Sequence, residues 1–107
     1  MNPTLEPVYL TAAAQRQIRA IVQDKGIPEF YGLRIGLRGA SCGASYLLGF
    51  DTRADTDELY DVAGIAVLID RRHLMHVLGL AIDFEEGEEG AGFTFTRWAK
   101  GEVPGNS

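Results

Sequence analysis

Between Lys25 and Tyr31 the hydrophobic period of the chain changes, and that change limits the possible folds more than any other feature. Before it, Ala14, Ile18, Ile21, Val22 and Lys25 recur at helical spacing, while Gln15, Arg16, Arg19, Gln23 and Asp24 fall largely outside that stripe. Thr11 is placed to cap the first turn, Gly26 to stop the helix in a left-handed conformation, and Pro28 to prevent its continuation. The pattern predicts one amphipathic helix over 12–25. After it, Leu33, Ile35 and Leu37 alternate with Arg34, Gly36 and Arg38, as a half-buried strand requires.

The rest of the chain keeps to short elements. Strands are predicted at Tyr46–Phe50, Glu58–Val62, Ile65–Ile69, Leu80–Phe84 and Gly92–Thr96, with a hairpin turn at Ala63-Gly64. Asp51–Asp57 reads as a polar turn region. Asp70 caps a short helix through Arg71–Leu78 that Gly79 ends, and Glu85–Gly90 reads as an acidic loop. Met1–Val8 is expected to be an extended lead-in, and the patternless tail 100–107 is expected to be mobile. Six short strands after one helix favour a mainly β domain, a compact sandwich or barrel-like sheet pair with the N-terminal helix packed on one side. At 107 residues this is one domain, with its core at about 9–98.

Charge and cysteine content then narrow the function. A net charge of −5 disfavours nucleic acid, whose binding relies on Lys and Arg neutralising phosphates. No apolar run is long enough for a membrane span, and MNPTLEPVYLT lacks the basic start and apolar centre of a signal peptide, so a cytoplasmic protein is expected. The single cysteine, Cys42, excludes a disulfide scaffold.

Cys42 is also the residue with most chemical promise. It lies among small residues, Gly39-Ala40-Ser41-Cys42-Gly43-Ala44-Ser45, which permit close approach of a bound atom. Arg34 and Arg38, if they face it, would lower the thiol pKa and favour the thiolate. The same residue could instead be a small core hydrophobe. The loop is not a phosphate cradle, since GxxxxGK[ST] is absent and a strand follows it. His73 and His76, three apart on the short helix, share a face as two metal ligands would, or as two surface polar residues would. The run Asp83, Glu85, Glu86, Glu88, Glu89 does not follow an EF-hand and reads as a solvated loop. Neither a serine elbow nor HExxH occurs, and no enzyme is expected.

Taken in order, these segments resemble the HesB-like, A-type iron–sulfur carriers. The resemblance rests on the helix, then Gly32-Leu33-Arg34-Ile35-Gly36-Leu37-Arg38-Gly39, the cysteine in its small-residue loop and the aromatic strand after it. It continues in Ile65–Asp70, similar to that family's VLVD strand, and in Leu80-Ala81-Ile82-Asp83-Phe84. Its most specific part is Gly90-Ala91-Gly92-Phe93-Thr94-Phe95, which looks like GSGFxF. The resemblance implies a mainly β fold, a dimer or tetramer, and binding of iron or an iron–sulfur cluster that is passed to recipient proteins.

It also implies three cysteine ligands, one in a GGGCSGxxY loop and two in a C-terminal CGCG. Only the first carries over, onto Cys42, as cofactor and metal ligand. Glu102-Val103-Pro104-Gly105 stands where the pair would lie, and Thr96-Arg97-Trp98-Ala99 replaces NPNA. A cluster ordinarily takes four thiolates, and a dimer of this chain supplies two. A tetramer, an external thiol, or His73, His76 and Glu102 would have to supply the rest. Two main readings follow. One is an atypical iron–sulfur assembly or iron-binding protein built on Cys42, working with assembly or recipient proteins. The other is an interaction module that kept the fold without the cluster. A thiol-based redox protein is a third.

Overall fold

The structure is a computed structural model that describes residues 6–38 and 45–97. The element order is β1 (Val8–Leu10), α1 (Ala12–Lys25), β2 (Gly32–Arg38), β3 (Ser45–Asp51), β4 (Asp57–Val62), β5 (Ile65–Asp70), a 3₁₀ turn (Arg71–His73), α2 (Leu74–Val77), β6 (Leu80–Gly87) and β7 (Gly90–Arg97). The strands form two sheets. Sheet A has the order β1-β6-β7 and sheet B the order β3-β2-β5-β4. The mainly β architecture with one long N-terminal helix is the one the periodicity predicts.

Local chemistry sets the boundaries of α1. Thr11 Oγ1 accepts from the Ala14 N–H at 3.1 Å and donates to Asp83 Oδ1 at 2.6 Å, so the cap also ties the helix to β6. Gly26, at φ 63°, returns its N–H to the last turn, as a residue without a Cβ does readily. The helix buries Ala14 and Ile18 and lies against β6 and β1. Both sheets contribute to one core: Val8, Leu10, Leu80 and Ile82 from sheet A, and Leu33, Ile35, Val67 and Ile69 from sheet B. Each such side chain contributes about 1.5–3 kcal/mol when fully buried.

Three sequence expectations change, and one strand shows a pairing that the sequence left open. Val8–Leu10 is not only lead-in: it is a strand, parallel to β6 with Val8 beside Leu80, which makes seven strands among the described residues. A three-residue strand whose partner is over seventy positions away has no signature of its own. The expected acidic loop is mostly strand, because β6 and β7 stay paired through Glu85↔Gly92 and Gly87↔Gly90 and only Glu88-Glu89 turn the chain. Ladder hydrogen bonds form regardless of side-chain charge when the carboxylates point to water. The short helix divides into a 3₁₀ turn, with Asp70 Oδ1 accepting from the Arg72 N–H, and a single α-turn. Finally, β2 pairs in parallel with β5 as well as antiparallel with β3, which places it inside sheet B. The hairpin at 63–64 is as expected, with positive φ at both Ala63 and Gly64.

Candidate functional site

Cys42, the sole thiolate candidate, lies outside the described residues, as do Glu102 and the tail 100–107. The described residues nevertheless frame the points from which those segments depart. Residues 39–44 connect Arg38 at the end of β2 to Ser45 at the start of β3, two residues paired across the sheet. The tail begins after Arg97 at the end of β7. These two points are neighbours. Tyr46 of β3 stacks on Phe95 of β7 with ring centroids 5.4 Å apart, and Arg97 Nη2 donates to the Tyr46 hydroxyl at 3.1 Å.

The same guanidinium binds the end of α2. Arg97 Nη2 donates to the His76 carbonyl at 2.9 Å and Nη1 to the Leu78 carbonyl, while Tyr46 Oη donates to the His76 carbonyl at 3.2 Å. Carbonyls at a helix end have no intrahelical donor, and a cation there also suits the helix dipole. One arginine thus joins β7, α2 and the first residues of β3. Sequence reading passed over Arg97 except as a departure from NPNA. Its place after a strand, with helix-end carbonyls as partners, is set by tertiary structure.

Among the described residues the partners of Arg34 are carboxylates and a carbonyl. Its guanidinium is bidentate on Asp57, with Nη1–Oδ1 and Nη2–Oδ2 both 2.7 Å, and it also reaches Asp51 at 3.0 Å and the Thr52 carbonyl at 3.2 Å. Asp57 is fully buried and accepts in addition from the Ala54 N–H. The Arg34 hydrogen bonds hold the Asp57 carboxyl below the usual carboxylate range, against the desolvation that opposes them, and the pair raises the guanidinium in turn. Arg34 therefore pins the β3–β4 connection to β2. Arg38, exposed at the end of β2, is the one of the two that remains next to residues 39–44.

Among the described residues the histidines are not brought together as a ligand pair with further donors. His73 is half-buried and borders a groove of about 450 Å³ over β2 and β3, with Arg34, Gly36, Leu47, Asp51 and Asp70 also on its walls. His76 is exposed on α2. Asp70 is held low by Arg72, whose guanidinium reaches it at 2.6 Å, and so is committed to that ion pair. Among the described residues no three His, Cys, Asp or Glu side chains are grouped to hold a metal ion. No described helix is long and apolar enough to cross a membrane.

Comparison with known proteins gives one consistent result. The model of a family described as iron-sulphur cluster biosynthesis matches residues 7–103. The chain is 36% identical over 95 residues to a Drosophila melanogaster protein named iron-sulfur cluster assembly 1 homolog, mitochondrial, covering 87% of this chain and 72% of that protein. It is 33% identical over 92 residues to the iron-sulfur cluster insertion protein ErpA of an Enterobacter species, covering 84% and 80%. Its fold is similar to that of IscA solved with a [2Fe-2S] cluster, at a TM-score of 0.67 and 26% identity, over 84% of this chain and 81% of that one.

Proposed function

The chain belongs to the iron-sulphur cluster biosynthesis family, and from that premise we propose that it is an atypical A-type carrier or iron-binding protein whose only thiolate ligand is Cys42. The observation that carries this reading is the family match over 7–103 together with the likeness to an IscA solved with its cluster. The frame of the candidate site supports it, because Tyr46 and Arg97 set the departure points of the two ligand-bearing segments of the family side by side. In this reading the cluster, or iron, is cargo taken up and handed on to other assembly or recipient proteins. The protein is not an enzyme. A lone thiol used as a ligand also fits the reducing cytoplasm.

Ligand number shapes the rest. With one cysteine per chain, four thiolates need four chains, or fewer chains and an external thiol. Either arrangement puts Cys42 where chains or thiols meet, so a homodimer or tetramer is part of the proposal. Glu102-Val103-Pro104-Gly105 at the positions of the paired cysteines favours a second reading, a protein-interaction module of the same fold that carries no cluster.

Iron and acid-labile sulfide per chain, measured on protein purified without oxygen and beside Cys42→Ala, separate the two. The carrier reading expects near-stoichiometric iron and sulfide that the substitution abolishes, or iron alone for a purely iron-binding role. Neither element in either protein after reconstitution would overturn the carrier reading and leave the interaction module.

A further inference from the structure

Arg97 is an exposed side chain whose acceptors all lie far from it in the sequence. Its Nη2 donates both to the Tyr46 hydroxyl and to the His76 carbonyl, and Tyr46 Oη donates to that same carbonyl. Guanidinium, phenol and carbonyl thus close a ring of hydrogen bonds, which the bond from Nη1 to the Leu78 carbonyl fastens to the end of α2. β7 does not need this ring, because its ladder to β6 already runs to Leu80↔Arg97. α2 does. It is a single turn of four residues without a side-chain N-cap, far below the length at which a helix holds by itself, so its place is set by what binds its end carbonyls.

The two segments that the reading above assigns to the cargo leave the described fold at opposite sides of this ring. Residues 39–44 run into Ser45, the neighbour of Tyr46, and residues 98–107 follow Arg97. We propose that Arg97 is a positioning residue for the cargo. By clamping the end of β7 to Tyr46 and to α2, it fixes the root of the tail against the root of the Cys42 segment, and the time for which iron stays on the chain depends on that clamp. This proposal rests on the reading of the chain as a carrier or iron-binding protein.

Three observations favour positioning over a role in the core. The bonds of the ring are exposed, and without them Phe95 still stacks on Tyr46 and the β6–β7 ladder remains. The residue type also fits, since a planar fork of donors reaches two carbonyls and a phenol at once, and its charge suits a helix C-terminus. An ammonium does not reproduce that fork. Finally, Arg97 falls within Thr96-Arg97-Trp98-Ala99, the residues that stand for NPNA, so the clamp is this chain's own. With a single cysteine, the chain has little other means of fixing how its two segments meet.

The test uses the full chain loaded with iron and sulfide without oxygen, and follows the loss of iron to an added ferrous chelator. Arg97→Met removes every donor of the clamp and should speed the loss by about tenfold or more, the scale of one hydrogen bond to a charged group. Tyr46→Phe keeps the ring stacking but not the hydroxyl, and should speed it less. Arg97→Lys should recover only a minor part. Arg19→Met is the control, because Arg19 also donates from an exposed position to a carbonyl, that of Ala63, away from both segments. It should release iron at the wild-type rate. Urea midpoints confirm that each variant folds. On the metal-free protein, amide exchange over 74–78 should be faster in Arg97→Met than in the wild type. Wild type that takes up no iron overturns the reading above and this proposal with it. Wild type that holds iron while Arg97→Met releases it no faster overturns the positioning role alone. So does full recovery in Arg97→Lys, or equal acceleration in Arg19→Met.

Discussion

Asp57 is a fully buried carboxylate whose stability depends on one guanidinium. Removing one partner of such a pair leaves the other charge uncompensated, and the usual cost is about 3–5 kcal/mol. Arg34 is partly open to solvent, so Arg34→Met is expected at the low end, about 3 kcal/mol, read from the urea midpoint. Arg34→Lys should recover little, because an ammonium cannot reproduce the fork that meets both oxygens of Asp57. The pair also has a pH signature. Asp57 has a lower pKa folded than unfolded, so its contribution is complete above the unfolded value of about 4 and is lost as pH falls from there through the folded value. Stability measured between pH 6 and pH 2 should therefore fall steeply at the acid end in the wild type. In Asp57→Asn that acid limb should be shallower, with the remainder due to groups such as Asp70. An unchanged acid limb would show that the pair does not control it.

At the scale of elements, the cap of α1 works in two directions. Thr11 accepts from its own helix and donates to Asp83, while its N–H donates to the Ile82 carbonyl at 3.0 Å. Thr11→Ala should cost about 1–2 kcal/mol, toward the upper end of the range for caps because a part-buried bond to β6 is lost as well. Thr11→Ser should restore most of it, and equal losses in both variants would contradict the double role. This cap was legible in the sequence, as were Gly26 and the turn at Ala63-Gly64, because each depends on residues within a few positions of one another. The first strand was not, since its partner lies over seventy positions away, and the strand character of Glu85–Gly87 was hidden because its run of charges reads as loop although its partners Gly90–Gly92 are close by. The candidate site divides in the same way. Cys42 stands out through its glycine-rich surroundings, whereas the Arg97 bridge between Tyr46 and α2 spans 51 positions and follows no periodicity. For Arg34 the sequence left open which group it faces; its partner Asp57 lies 23 residues away.

For the molecule as a whole, the two sheets draw on the chain differently. Sheet B takes its four strands from one continuous stretch, Gly32 to Asp70, whereas sheet A joins Val8–Leu10 to residues after Leu80. Closing a loop costs more entropy the longer it is, and contacts distant in sequence slow folding. The consequence is an order of assembly. Sheet B can form around Arg34 and its turn while both ends of the chain are still free, and β1, α1 and the β6–β7 hairpin then dock together to complete the core. Kinetic analysis should accordingly find that Ile35→Val in β2 mainly slows folding, while Ile82→Val in β6 mainly speeds unfolding. The reverse pattern would place the nucleus in the sheet built from the two ends. If the order holds, β7 is among the last strands to find its place, and its free edge is exposed to neighbouring chains while the rest of the fold already stands.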